Sequence, residues 1–187
     1  MDDVWQLLIN LDQDAIRATG ELRWSPATAV LAVASAWWVK GPLLLAAGWF
    51  ADLRGRRLLP VAAVAAGVSF LLASGLSTLL KGLFERSRPP DAVGIDALVA
   101  VPGTPSFPSG HAMTAFAAGG AVALLAPRLR LPVLSLAAII GFSRVYLGVH
   151  FWLDVLAGAA LGLILGLGVA WPLRGHCRRA APEPSAP

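Results

Sequence analysis

Residues 143–154 read SRVYLGVHFWLD. Two apolar runs, 132–148 and 151–171, meet in this stretch, and each is near the length of about 20 residues needed to cross a bilayer. Ser143, Arg144, His150 and Asp154 are packed between them. The reading is two membrane-spanning helices joined by a short polar turn. His150 and Asp154 stand four apart, so a helix running from Phe151 onward would put both on one face. A carboxylate there can accept a hydrogen bond from one ring nitrogen and fix the tautomer. The other nitrogen is then free to attack an electrophile or bind a metal. Arg144 offers a planar fork of donors suited to phosphate. The plainer alternative is a His–Asp pair that only stabilises a helix end.

Composition extends the membrane reading to the whole chain. Of 187 residues, 57% are hydrophobic and only 14% charged, with a mean hydropathy of +0.69. A soluble domain carries about a quarter charged residues. The expectation is one all-α domain, a polytopic membrane helix bundle. The net charge of +4 sits mainly in short loops and the tail, so it speaks to orientation in the membrane and not to nucleic acid. The single cysteine, Cys177, rules out an internal disulfide and any cysteine-rich zinc or iron–sulfur site. Asp2, Asp3, Asp12 and Asp14 stand where a signal peptide would need basic and apolar residues, so none is expected.

In chain order, 1–24 is expected to be an amphipathic helix lying on the membrane surface. Val4, Leu7, Leu8, Leu11, Ala15 and Ile16 supply its apolar positions, and Trp24 is a candidate interfacial anchor. Ser25-Pro26 is a helix-start signal. The membrane domain then runs over 25–173, with spans expected at 27–50, 58–80, 110–126, 132–148 and 151–171. That makes five transmembrane helices, or six if the first third of the chain divides differently. Lys40 and Pro42 are expected to interrupt the first span, and a lysine at that depth either faces a polar cavity or snorkels. Residues 89–107, rich in Pro, Gly and Asp, read as a loop that could cover a site. Residues 174–187 read as a basic, disordered tail.

Five spans have a topological consequence. The end of the second, the start of the third, the end of the fourth and the start of the fifth fall on one face. The other face carries Arg54, Arg56, Arg57, Arg128, Arg130, Arg174, Arg178 and Arg179, which the positive-inside rule makes cytoplasmic. Polar groups therefore gather on the outward face. They come from Lys81-x6-Arg88-Pro89, Pro108-Ser109-Gly110-His111 and Ser143-Arg144-x5-His150-x3-Asp154. Three permanent cations, Lys81, Arg88 and Arg144, call for an anion to balance them. Ser109 is a good N-cap, which puts Gly110 and His111 in a first helical turn whose backbone N–H groups favour phosphate. One histidine held by Asp154 can serve as nucleophile, leaving the other as general acid. No cluster of Asp, Glu or Cys resembles a metal cage, so the expected chemistry needs no metal and no cofactor.

These three segments resemble the signature of the type 2 phosphatidic acid phosphatase superfamily, motif for motif. That family includes lipid phosphate phosphatases, undecaprenyl diphosphate phosphatases, glucose-6-phosphatase and soluble vanadium haloperoxidases. The resemblance runs from Lys81 to Asp154 and thins in the first third of the chain, where many relatives have six spans. It implies that His150 attacks phosphorus to form a phosphohistidine while Asp154 orients it. It implies that His111 protonates the leaving oxygen and then activates water. Lys81, Arg88, Ser109, the Gly110 amide and Arg144 would bind the phosphoryl oxygens.

The expected substrate is a lipid phosphate in the bilayer, with its phosphate at headgroup depth. An outward site suits a polyprenyl diphosphate such as undecaprenyl diphosphate, cleaved to the monophosphate. Phosphatidic acid and phosphatidylglycerol phosphate are the alternatives. The expected location is the cell (inner) membrane, multi-pass, with the site facing the periplasm or exterior. A non-enzyme alternative is a transporter using the basic pocket to bind phospholipid headgroups. That protein would need the cations but neither the His150–Asp154 geometry nor a second histidine. Oligomeric state has no signature in the sequence.

Overall fold

A computed structural model of the chain describes residues 2–54 and 60–175. Among these residues every regular element is a helix. They are α1 (Asp2–Glu21), α2 (Ser25–Ser35), α3 (Trp37–Arg54), α4 (Val61–Phe84), α5 (Pro89–Val93), α6 (Gly110–Leu125), α7 (Arg130–Tyr146) and α8 (Trp152–Ala170). Short 3₁₀ turns at Pro127–Leu129 and Trp171–Leu173 precede α7 and follow α8. Three stretches are long and apolar enough to cross a membrane: Val61–Val93, Pro127–Tyr146 and Trp152–Leu173. Many of their large side chains point outward, among them Leu71 and Leu79 on α4 and Leu156 and Ile164 on α8. In water such a surface would be costly, and in lipid it is the expected exterior. The chain is a membrane helix bundle.

The bundle is built round α6, whose residues are almost all buried. It has no polar stripe, the pattern of a helix enclosed on all sides, and it packs against α8, α4, α7 and α3. The α6–α8 seam is the tightest contact. Gly158, Gly162 and Gly166 on α8 face the backbone of α6. A Cβ on Gly162 would lie 2.2 Å from the Met113 carbonyl oxygen, and one on Gly166 2.0 Å from that of Ala117. Three glycines four apart therefore let two backbones touch, the small-residue packing typical of membrane helices. At the opposite end from the polar groups, Asp52 of α3 accepts from the Ala62 and Ala63 N–H groups at 2.9 and 3.1 Å. This carboxylate satisfies orphan donors at the start of α4 and ties the end of α3 to it.

The structure corrects two expectations. The segment 27–50 is not one helix: it breaks at Ala36, whose ψ of 133° is extended, into α2 and α3. The break falls upstream of Lys40 and Pro42, and Pro42 sits inside α3. Breaking there moves the proline from the middle of one long helix to the second turn of a new one, where less helix is disturbed by its missing N–H. The segment 89–107 is not wholly loop, because Pro89–Val93 forms a helical turn opened by Pro89 at its first position. The Lys40 side chain, Arg56, Arg57, Cys177, Arg178, Arg179 and the tail from 176 onward lie outside the described residues.

Candidate active site

The end of α4, the start of α6 and the α7–α8 turn converge at one end of the bundle. The Ser109 N–H donates to the Asp154 carbonyl at 2.9 Å, tying the first turn of α6 to that of α8. Lys81, in the last turn of α4, donates through Nζ to the Pro105 carbonyl. Arg88 Nη1 donates to the Val149 carbonyl at 2.7 Å and Nε to that of Thr104 at 2.8 Å. Loop 104–106 is thus held by two of the sequence-predicted cations.

His150 sits in the turn between α7 and α8, which wraps round the Arg144 carbonyl. Val149 and His150 N–H both donate to that oxygen, at 3.1 and 3.2 Å. The turn needs Gly148. Its φ is +77°, and a Cβ there would lie 2.8 Å from the Asp96 carbonyl oxygen, so a side chain would be both strained and blocked. The helix that follows starts at Trp152, with Phe151 as its N-cap. Asp154 Oδ2 accepts the Phe151 N–H at 2.9 Å and lies 3.5 Å from His150 Nδ1. One carboxylate therefore closes the helix end and faces the imidazole.

The imidazole has defined surroundings on both nitrogens. Arg88 Nη1 lies 3.3 Å from Nε2. Guanidinium only donates, so Nε2 carries a lone pair and the proton is on Nδ1. That proton faces Asp154 Oδ2 and the Ser106 hydroxyl, 3.3 Å away. His150 is 2% exposed. Burial pushes its imidazole down to about 4, with Arg88 and Lys81 adding to the shift and Asp154 opposing it. The ring is neutral at physiological pH, with one unprotonated nitrogen directed at a cation.

Ser109, predicted as an N-cap, accepts from the Ala112 N–H at 3.5 Å, and Gly110 opens α6 against Ser77 of α4. His111 follows as the second residue of α6 and is half-buried. The Arg144 side chain is buried, close enough to Arg88 for the two charges to repel. Ser143 is turned back into its own helix, donating to the Ile140 carbonyl at 2.6 Å. Among the described residues no group of three or more His, Cys, Asp or Glu is placed to hold a metal ion.

Three polar residues in this cluster carry no role in the sequence reading. Ser106 donates to Asp154 Oδ2 at 2.5 Å. Arg86 Nη1 donates to Asp154 Oδ1 at 2.5 Å, and its Nη2 donates to Asp12 Oδ2 at 2.7 Å. Asp12 belongs to α1 and is 4% exposed. A faint signal for Ser106 and Arg86 is their nearness to motif residues, three before Ser109 and two before Arg88. Asp12 has none, since it reads as one of several acids on an amphipathic helix.

Residues 62–175 match the PAP2 superfamily, and the chain belongs to that family. It is 38% identical over 115 residues to phosphatidylglycerophosphatase B of Bacillus subtilis (strain 168), covering 53% of this chain and 54% of that protein. It is also 38% identical over 105 residues to decaprenylphosphoryl-5-phosphoribose phosphatase of Mycobacterium tuberculosis (strain ATCC 25618 / H37Rv), with 54% and 55% covered. The chain thus spans about half the length of these curated relatives. Among solved structures it resembles a transmembrane PAP2-type phosphatidylglycerolphosphate phosphatase from Bacillus subtilis. There the TM-score is 0.71 and the identity 26%, over 95% of this chain and 90% of that one.

Proposed function

We propose that the protein is a membrane lipid phosphatase that cleaves a phosphate monoester or diphosphate of a lipid through a phosphohistidine on His150. The observation that carries this reading is the placement of the imidazole. Nδ1 lies 3.5 Å from Asp154 Oδ2 and Nε2 3.3 Å from the donor-only Arg88 guanidinium, which favours a proton on Nδ1 and a lone pair on Nε2. A phosphoryl group drawn in by Lys81, Arg88 and Arg144 takes over the Arg88 donor and meets the freed lone pair. Nε2 attacks phosphorus and the bond to the lipid oxygen breaks. His111 gives that oxygen its proton. Water, deprotonated by His111, then attacks the phosphohistidine, and the P–N bond breaks to release phosphate. Ser109, the Gly110 N–H and the three cations hold the phosphoryl oxygens as charge builds on them.

In this reading the bundle crosses the membrane five times, with α2 and α3 as one broken crossing. In support, α2 starts at the polar end, where the Trp24 N–H donates to the Tyr146 hydroxyl at 2.6 Å, and α3 finishes at the other end beside α4. Arg54, Arg128, Arg130 and Arg174 lie at that other end, which the positive-inside rule assigns to the cytoplasm. The site then opens outward from the cell membrane. Helix α1 lies in the interface, presenting exposed Val4, Trp5, Leu7, Leu8 and Leu11 to lipid.

The leading substrate is a polyprenyl diphosphate, because an outward site reaches a carrier lipid on that leaflet. Phosphatidylglycerol phosphate is the second reading, favoured by the name of the Bacillus subtilis relative. The test is inorganic phosphate release by detergent-purified protein in EDTA, with undecaprenyl diphosphate, phosphatidic acid and phosphatidylglycerol phosphate offered side by side. The wild type is expected to turn over at least one of them, and the fastest identifies the substrate. His150→Ala is expected to lose at least about a thousandfold in rate while keeping lipid binding. Headgroup binding without phosphate release from any lipid would instead support a transporter.

A further inference from the structure

Helix α1 lies outside the residues that match the family, yet it reaches the catalytic carboxylate through two contacts. Asp154 is fully buried, and both its oxygens are engaged. Oδ2 serves His150, Ser106 and the Phe151 N–H, whereas Oδ1 is met by Arg86. The Arg86 guanidinium is itself fixed on several sides. It lies over the Phe151 ring with its carbon 4.2 Å from the centroid, and Nη2 binds Asp12. The Arg86 backbone carbonyl accepts the Ser106 N–H at 2.7 Å, so Arg86 both binds the Asp154 carboxylate and places Ser106, a second donor to it. Asp12 also accepts the Leu153 N–H at 3.1 Å, which locks α1 onto the first turn of α8. Around Asp12, Ile16 and Thr19 complete the buried face of α1.

We propose that Arg86 and Asp12 are positioning residues of the proposed phosphatase: Arg86 clamps Oδ1 so that Oδ2 faces His150, and Asp12 of α1 holds Arg86 in that pose. A carboxylate gripped at one oxygen cannot rotate away from the imidazole, so Nδ1 keeps its proton and Nε2 its lone pair. Helix α1 is thereby part of the catalytic apparatus as well as a contact with lipid. This rests on the phosphatase reading above, and its test has one arm that needs turnover and one that does not.

Asp12→Asn keeps an oxygen for the Leu153 N–H but loses the charge that holds Arg86. In the phosphate-release assay its kcat is expected to fall about tenfold, with KM within about twofold of wild type, the scale seen when a partner that orients a histidine is removed. Arg86→Gln is expected to lose more, and the double variant to be no slower than Arg86→Gln alone. The Asp12 charge acts through Arg86, and the Asp12→Asn side chain keeps an oxygen for the Leu153 N–H. Rates that multiply in the double variant, an unchanged kcat in Asp12→Asn, or a loss confined to KM would overturn the proposal. The second arm reads the His150 tautomer from ¹⁵N imidazole shifts in micelles. Wild type is expected to show the Nδ1–H form alone, and Asp12→Asn and Arg86→Gln a mixture. An unaltered tautomer in Arg86→Gln would also overturn the proposal. A wild type that releases no phosphate defeats the phosphatase reading only, and the tautomer arm then decides the role of Arg86.

Discussion

The α6–α8 seam and the attachment of α1 hold the same end of the molecule together by opposite means. Along the seam, Gly158, Gly162 and Gly166 bring backbone against backbone, and the contact depends on the absence of side chains. Helix α1 instead has one fully buried apolar anchor, Ile16, packed on Val145, Phe151 and Val155. It is otherwise fixed by a few polar contacts: Asp12 to Arg86 and to the Leu153 N–H, and Thr19 to the Trp152 indole at 3.1 Å. Its large apolar residues mostly face away from the bundle. The seam sets the distance between Ser109 and Asp154, so it determines whether a site exists. The α1 contacts set the orientation of one carboxylate, so they determine how well the site works. A hydrogen bond placed at the right atom can matter more to chemistry than to stability, and close packing the reverse.

Substitutions can break this contrast from either side. The largest effect is expected at the seam. Gly162→Leu places a branched side chain where even a Cβ would meet Met113 O at 2.2 Å, and overpacking of this kind costs about 3 kcal/mol or more. Thermal unfolding in detergent should show a lower transition or no folded protein, whichever lipid is present. A smaller effect is expected at the polar end on acidification. Because the His150 imidazole is held down to about 4, the native ring stays neutral while its unfolded counterpart takes up a proton below about 6.5. Its contribution to stability is therefore intact above pH 6.5 and is lost as pH falls from there through about 4. A ¹⁵N titration should find His150 unprotonated at pH 5.5, and a midpoint near 6.5 would contradict its burial. The smallest effect is expected for Trp152→Phe, which removes the indole donor to Thr19 and keeps an aromatic, though smaller, ring. Stability should fall by about 1 kcal/mol, with earlier proteolytic release of α1 and an intact bundle.

Much of this molecule was legible in its sequence. The apolar runs gave α4, α6, α7 and α8 to within a few residues, because membrane spans are selected by length and hydropathy more than by side-chain detail. The meeting of Lys81, Arg88 and His150 at one end of the bundle was legible because charged groups are expensive in such a chain and their spacing is narrow. The break at Ala36 was not legible, since alanine favours helix and gives no local signal. The role of Asp12 was hidden for a different reason. Its partner, Arg86, is 74 residues away, and an acid on an amphipathic helix reads as water-facing until the bundle is assembled. Ser106 stood in plain view beside the PSGH segment, but only the fold shows its hydroxyl turned to Asp154.

The central claim is that His150 Nε2 becomes bonded to phosphorus. The most direct measurement is to mix the purified protein with a turned-over lipid phosphate, quench in alkali, where phosphohistidine survives, and locate the phosphoryl group by peptide mass spectrometry. The account predicts a phosphoryl group on His150 at Nε2, absent from His150→Ala and accumulating in His111→Ala if its phosphohistidine forms but hydrolyses slowly. Turnover with phosphate on another residue, or turnover that persists in His150→Ala, would contradict it.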